Sequence, residues 1–382
     1  LVAIQISMAL AVLVNAVYIV KQRVDMIGRP TGMDTANMFT VASSGFTQNF
    51  DYIASVHEDL TYLNSLPDVV AATHSNGLPL SGGGSSTQIF EKPGGKGLQS
   101  PINYFEVDEH GLETLGVKLI AGREFNATEI LPPQKGSGFV HQIILSAAAA
   151  REIFPHGNAL GQTVYDNLGA PATIIGVIEH MQGSWLGWDK VDHVALTPQM
   201  PSGPSVRYIV RTRPGRRDAV MASAEQHLIA SNPNRVIPWI RTLEYLRDRS
   251  YQQDRNMAIF LVAVTALLLA VTALGIFGLA TFNVSTRTKQ IGTRRAIGAR
   301  RSVIVGYFMV ENWMITSAGV ALGCAMALAV GYWLSLKLQL PRLDLYFLVG
   351  GVLVVWLIGL FAAWQPARRA AAVSPAVATR TV

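Results

Sequence analysis

The sequence has almost no cysteine, and its one thiol, Cys324, lies inside an apolar run. An internal disulfide framework is excluded, so any folded domain must be held by its core alone. Histidine is equally uninformative as a ligand set. The eight stand apart at 57, 74, 110, 141, 156, 180, 193 and 227, without the paired spacing of a metal site. A phosphate-cradling G-x-x-x-x-G-K-[ST] loop is also missing. Around GGKG, the place five before Gly95 is Phe90, and Gly97 follows Lys96. No Ser/His/Asp or Cys/His set stands in a recognisable context. The chain is therefore not expected to be a catalyst or to bind a cofactor itself.

Charge is missing from four long stretches: 1–20, 256–286, 312–336 and 345–367. About 20 apolar residues span a bilayer core as a helix, so each reads as a membrane span. The opening stretch starts at Leu1 and has no positive leader or cleavage site, so it is expected to begin inside a first span rather than as a signal peptide. What charge there is divides sharply. Residues 21–255 hold 20 basic and 23 acidic side chains, and the rest of the chain 11 basic and 2 acidic. The basic surplus thus sits beside apolar runs and not on a folded face with interleaved aromatics, which argues against nucleic acid.

The surplus is densest in STRTKQIGTRRAIGARRS (285–302), which carries Arg287, Lys289, Arg294, Arg295, Arg300 and Arg301 and no acid. Short basic loops stay in the cytoplasm. That rule places the 284–303 loop inside, together with the tail bearing Arg368, Arg369 and Arg380. The long 24–254 segment and the short 337–344 loop, with Lys337, Arg342 and Asp344, are then outside. Lys21, Arg23 and Arg29 go against the rule, but long translocated domains largely escape it. The expected order is span 1 (1–20), outer domain (24–254), span 2 (257–283), cytoplasmic loop (284–303), and an interfacial segment with span 3 (304–336). An outer loop (337–344), span 4 (345–365) and a cytoplasmic tail (366–382) follow.

Span 3 carries Gly319, Gly323, Ala327 and Gly331, one small residue every four, which predicts a close helix–helix contact. No ionisable residue lies centrally in any span, so an ion relay is not expected. Glu311 is read as interfacial. In 24–254, strand patterns at 69–75, 163–165, 172–179 and 206–212 alternate with helix patterns at 49–66, 146–154 and 216–231. This predicts an α+β domain, with the Gly/Ser-rich stretch 81–100 as a mobile loop.

RTKQIGTRRAIGARRSVIV (287–305) resembles the basic loop after the second span of FtsX-like and MacB-like ABC transporter permeases, roughly R-x-x-E-I-G-x-R-R-A-x-G-A. Gln290 stands where that family has an acid, which makes this loop more basic. The tail resembles the family's ending at Pro366, Arg368, Arg369, Pro375, Ala376 and Arg380. In the outer segment, YFEVDEHGLETLGVKLIAGREF (104–125) and IILSAAAAREIFPHGNALGQTV (143–164) with IIGVIEH resemble the MacB-like periplasmic core domain.

The resemblance implies a four-helix transmembrane domain in the bacterial inner membrane, with an α+β periplasmic domain inserted between spans 1 and 2. It implies a second permease subunit, in a homo- or heterodimer, and an ABC ATPase that carries ATP and Mg; in the MacB-like branch the ATPase can be fused or separate, and a separate subunit is expected here. On that pattern, Arg287, Lys289, Gly292, Arg294, Arg295, Ala296, Gly298 and Arg301 belong to an ATPase-coupling element. Spacing by seven predicts that Arg287, Arg294 and Arg301 share one side of a short helix, with Ile291 and Ile297 as its apolar contacts. The plainer alternative is that the arginines only set topology and bind anionic membrane lipid, at about 1 kcal/mol each. The MacB-like branch further implies efflux with a periplasmic adaptor and an outer-membrane channel, for which 81–100 is a candidate contact. Lipoprotein release and regulation of cell-wall hydrolases are alternatives within the family. A membrane sensor is the alternative outside it, and would call for a signalling domain beyond the fourth span.

Overall fold

A computed structural model of the chain describes residues 2–133, 141–338 and 343–372. The first helix is α1 (Val2–Ile27), and the following segment runs β1 (Met38–Gly45), α2 (Tyr52–Ser65), β2 (Val69–Ser75), β3 (Ser85–Lys92), β4 (Lys96–Val107), α3 (Gly111–Leu115) and β5 (Leu119–Gly122). It continues with β6 (Gln142–Ser146), α4 (Ala147–Ile153), β7 (Thr163–Asp166), β8 (Pro171–Ile178), β9 (Val194–Pro198), β10 (Ser205–Thr212), α5 (Arg217–Ser231) and β11 (Arg235–Thr242). The last four helices are α6 (Leu243–Thr286), α7 (Thr288–Ala296), α8 (Arg301–Leu338) and α9 (Leu345–Ala372). Two compact units result, Leu1–Ile27 with Asp254–Val382, and Gly28–Gln253.

The 28–253 unit holds two sheets. A four-stranded antiparallel sheet has the order β11-β1-β10-β2. Strand alternation puts Phe39, Val41, Tyr208 and Val210 on one face, where they pack on Val56, Leu60 and Leu63 of α2 and Val220, Ala224 and Leu228 of α5. The second sheet has the order β5-β8-β6-β9-β4-β3-β7, and β7 also pairs with β8. That pairing closes six strands into a ring around Ile89, Ile102, Ile143, Leu145, Val164 and Ile174, with α4 packed against it. Ser146 starts α4 by accepting from Ala149 N–H. Asp51 does the same for α2 through Ala54 N–H at 3.0 Å.

Most of the 81–100 stretch is not a loop. It holds β3 and the start of β4, a hairpin whose strands meet at Lys92 opposite Lys96. Its glycines mark the turn, where Gly94 and Gly95 take φ of 74° and 73°. The strand signal lay in STQIF, where fully buried Ile89 faces the ring core.

One buried ion pair ties the four-stranded sheet to its helices. The Arg235 guanidinium of β11 donates to both oxygens of Asp59 on α2, with Nη2 at 2.8 Å from Oδ1. It also donates to Ser55 Oγ, Leu228 O and Ser231 Oγ, and the Tyr208 hydroxyl donates to Asp59 Oδ2 at 2.6 Å. Burial and the Asp59 charge push the Tyr208 phenol well above its ordinary value.

Glu106 of β4 is buried with no cation partner among the described residues, and burial pushes its carboxyl up to about 7. An unfolded Glu titrates near 4.5. Between these values the folded chain holds a proton that the unfolded chain has lost, so stability falls as pH rises and levels off above about 7. The full difference is on the order of 3 kcal/mol. Glu106→Gln is therefore expected to remove most of this unit's loss of stability between pH 5 and pH 8, measured by tryptophan fluorescence unfolding of the detergent-solubilised chain. An unchanged pH slope in the variant would assign the effect to other groups.

Among the described residues, four helices are long and apolar enough to cross a membrane: α1, α6, α8 (over Arg301–Leu336) and α9. Ile6, Leu10 and Val14 of α1 are buried against Val320 and Ala327 of α8 and Val355 and Ala363 of α9. The small-residue stripe of α8 faces α1. A Cβ on Gly319 would lie 2.8 Å from Ile6 Cγ2 and 2.9 Å from Ala3 O, and one on Gly323 would lie 2.9 Å from Leu10 Cδ2. Gly331 lies against Asn15, whose Nδ2 donates to Ala327 O at 3.2 Å. Overpacking such a contact costs about 1–3 kcal/mol. Gly319→Leu should lower the melting temperature of the solubilised chain, whereas Gly278→Ala, with nothing within 4 Å of the added carbon, should not. Equal melting temperatures would show that the stripe carries no packing. Arg23, at odds with the loop-charge rule, has a local partner in Asp254 Oδ1 at 2.9 Å. Residues 339–342, with Arg342, and the tail from 373, with Pro375, Ala376 and Arg380, lie outside the described residues.

Candidate functional site: the basic segment between α6 and α8

Thr286 ends α6, and Thr288 reopens a helix after one non-helical residue, Arg287. The new helix, α7, is short because of Gly298. That glycine takes φ 99°, in the left-handed region that side chains disfavour. Its N–H donates to Arg295 O at 3.1 Å, and Ala299 N–H donates to Arg294 O at 3.0 Å. Together these bonds close a helix end of the Schellman type. Arg301 then begins α8.

Arg287, Arg294 and Arg301 consequently do not share a helix face, contrary to the count by seven. Arg287 precedes α7, Arg294 is within it, and Arg301 belongs to the next helix. Spacing arithmetic holds only while a helix is uninterrupted, and the glycine interrupts it. The two isoleucines also separate. Ile291 is buried with Gly292, packing on Ile304 and Phe308 of α8 and on Ala367, Ala370 and Ala371 of α9. It anchors the segment from within and is not a docking contact. Ile297 is 82% exposed. An isoleucine held that far into solvent beside a glycine turn is an unpartnered apolar tip.

In the same segment Lys289, Gln290, Thr293, Arg294, Ala296, Arg300, Arg301, Ser302 and Val303 are also exposed. Arg287 turns the other way: Nη1 donates to Glu311 Oε2 at 2.9 Å and to the Tyr307 hydroxyl at 3.2 Å. The Arg294 guanidinium lies 5.2 Å from the Tyr307 ring centroid, a cation–π contact. Tyr307 and Glu311 were missed as site residues by sequence reasoning. Their i, i+4 spacing on α8 was the available signal, since it puts them on one face toward a basic neighbour. Among the described residues, no carboxylate lies within ion-pair distance of Lys289, Arg294, Arg300 or Arg301. Arg295 stands on the half-buried side of α7.

The arrangement is a short basic helix, fixed to the membrane helices by Ile291 and by the Arg287–Glu311 pair, that presents exposed basic side chains together with the exposed apolar Ile297 and Val303. Among the described residues no group of three or more His, Cys, Asp or Glu is placed to hold a metal ion.

Residues 2–227 match the MacB-like periplasmic core domain, and residues 262–375 match the FtsX-like permease C-terminal family. The chain is similar to the macrolide export ATP-binding/permease protein MacB of Escherichia coli (strain K12), at 26% identity over 271 residues. The Shigella flexneri protein of the same name gives the same figures. Both alignments cover 68% of this chain and 40% of the relative, so the chain spans well under half the length of the curated relatives it matches. Among solved structures, it is similar to the periplasmic region of MacB from Actinobacillus actinomycetemcomitans at 16% identity and TM-score 0.36, covering 58% of this chain and 95% of that one. The extracellular domain of the noncanonic ABC-type transporter YknZ from Gram-positive bacteria matches at 15% identity and TM-score 0.34, covering 52% and 98%.

Proposed function

Because the chain belongs to the family of ABC transporter permeases with a MacB-like periplasmic core domain and an FtsX-like C-terminal part, we propose that it is the membrane subunit through which a partner ATPase drives that domain. The observation that carries this reading is the exposed Ile297 among exposed basic side chains, on a segment anchored from below by Ile291. In this reading α7 and the turn at Gly298 seat in the ATPase, and closure of the ATPase on ATP moves the helices that flank the segment. The outer domain, inserted between spans 1 and 2 and facing the periplasm, responds. In this reading ATP and Mg are held by the ATPase, on a separate subunit. A second permease subunit completes the pair, and the chain sits in the inner membrane.

The output assigned to this motion is efflux of periplasmic substrates, working with a periplasmic adaptor and an outer-membrane channel. No ionisable side chain lies centrally in the apolar runs of 256–286, 312–336 and 345–367. That favours relayed force over a polar conduit through the helices.

Purification of the chain from its native membrane in a mild detergent tests the proposal. A stoichiometric ATPase subunit carrying G-x-x-x-x-G-K-[ST], together with a periplasmic adaptor, is the expected result. A lipoprotein-carrier chaperone or a coiled-coil hydrolase in place of the adaptor would reassign the output, and no associated ATPase would refute the proposal.

A further inference from the structure

In the 28–253 unit, a cleft of about 470 Å³ is lined by Arg207, Arg241 and Arg249 and, among the described residues, by no acidic one. Three separate elements supply the arginines: β10, β11 and the first turns of α6. Sheet register brings the first two together. Ala42 of β1 lies opposite Arg207 on one side and Trp239 on the other, and residues in one row of a sheet project to the same face. Over the small Ala42, the Arg207 guanidinium comes within 5.8 Å of the Trp239 ring centroid. Arg241, two residues on from Trp239 and on the same face, lies 5.2 Å from that ring and 5.2 Å from the ring of Tyr245. Arg249 Nη1 in turn donates to the Tyr245 hydroxyl at 3.4 Å. Cation and aromatic alternate in a ladder of five side chains.

Among the described residues none of the three arginines has a carboxylate within ion-pair distance. Arg207 is half-buried, and burial pushes its guanidinium below the ordinary value. Partly buried charges are ordinarily matched; here the half-buried Arg207 and Arg241 and the exposed Arg249 line one space with no carboxylate among them.

The opposite wall is a rigid backbone turn. Leu80 takes φ 61°, the one non-glycine positive φ among the described residues, a strain that persists only where the surroundings enforce it. Enforcement comes from Leu80 N–H on Gly183 O at 3.0 Å, Gly82 N–H on Ser184 O at 2.9 Å and Ser184 Oγ on Leu78 O at 3.0 Å. Ser250 Oγ of α6 donates to Leu80 O at 2.8 Å, which ties the turn to the helix that bears Arg249. Gly84 admits no side chain, since a Cβ would fall 2.3 Å from Ser184 Oγ. Ser81 and Ser85 bring hydroxyls to the rim, and Leu78 and Leu246 give an apolar floor.

We propose that this cleft is a binding site for an organic phosphate, with the arginines on the phosphate and Trp239, Leu78 and Leu246 against its carbon body. Guanidinium forks suit phosphate oxygens, and the volume exceeds what a bare inorganic ion fills. The source is a lipid headgroup or a soluble phosphate ester. In sequence, Arg249 precedes by seven residues the uncharged run that opens at Asn256 on the same helix, which favours the lipid. The site does not depend on the ATPase docking described above.

The test is calorimetric titration of the full chain in a neutral detergent with dihexanoyl phosphatidylglycerol, and separately with glycerol 3-phosphate. Saturable binding of at least one is expected, with Arg207→Ala and Arg241→Ala each weakening it about ten-fold. Arg249→Ala, at an exposed helical position that folding does not need, should do the same. Lys92→Ala with Lys96→Ala, which removes two charges from the same unit outside the cleft, should leave it unchanged. Binding of the lipid alone assigns the headgroup, and binding of both assigns the phosphate ester as sufficient. Failure of both ligands to bind, or binding that survives Arg249→Ala undiminished, overturns the site.

Discussion

Scrambling residues 287–301 with all six positive charges retained is expected to abolish ATP-driven activity of the assembled transporter while the chain still inserts in its membrane. The charge count that sets topology is untouched, and so is attraction to anionic headgroups. What is lost is order: the turn at Gly298, the anchor at Ile291 and the tip at Ile297. An apolar contact buried in an interface is where docking energy concentrates, about 2–4 kcal/mol for a single anchor. That corresponds to about 30- to 1,000-fold weaker association with the ATPase. Ile297→Asp isolates the tip and should show most of this loss by itself, since at 82% exposure the side chain contributes little to the chain's own fold. Both variants are read by the ATPase subunit retained on affinity purification and by the ATP hydrolysis rate of the complex. Full retention with the scramble would reduce the arginines to topology markers.

Arg235→Ala should destabilise the 28–253 unit by about 3–5 kcal/mol, because it strands the Asp59 carboxylate in the core. Asp59 is 4% exposed, and its remaining donor is the Tyr208 hydroxyl. The effect spreads because the guanidinium joins α2, α5 and β11 at once through Ser55, Leu228, Ser231 and Asp59. Replacing both charges, as Asp59→Leu with Arg235→Met, should recover a large part of the loss, since a buried pair is far costlier to break than to replace with apolar residues of similar volume. Thermal unfolding of the solubilised chain, followed by tryptophan fluorescence, measures both variants against the parent. A single variant that melts with the parent would mean the pair is not held in the core.

Local signals carried the helices and several strands. Pro67 follows the end of α2, and the β-branched runs at 69–75 and 206–212 form β2 and β10. The long uncharged runs lie in α6, α8 and α9, and the Gly319 to Gly331 stripe lies against α1. What sequence reading missed depends on distant neighbours. Ile291 turns inward because Ala367, Ala370 and Ala371, more than 70 positions away, leave room for it. The period of seven failed at Gly298, a single residue whose φ no periodicity count includes. The hairpin of β3 and β4 was hidden because glycine and serine at its ends outweighed STQIF in composition. The arginine cleft had no motif at all. Ala42 has to lie between Arg207 and Trp239 before those residues mean anything together, and only sheet register puts it there.

Cysteine accessibility in sealed spheroplasts tests the cytosolic docking segment most directly. In a Cys324→Ala background, Ile297→Cys and Leu168→Cys each place one thiol at a well-exposed position, 82% and 66% exposed in the parent residues. A membrane-impermeant maleimide is predicted to label Leu168→Cys at once, and Ile297→Cys only after lysis. Equal labelling of Ile297→Cys before and after lysis would put the basic segment on the outer face, where no ATPase could reach it.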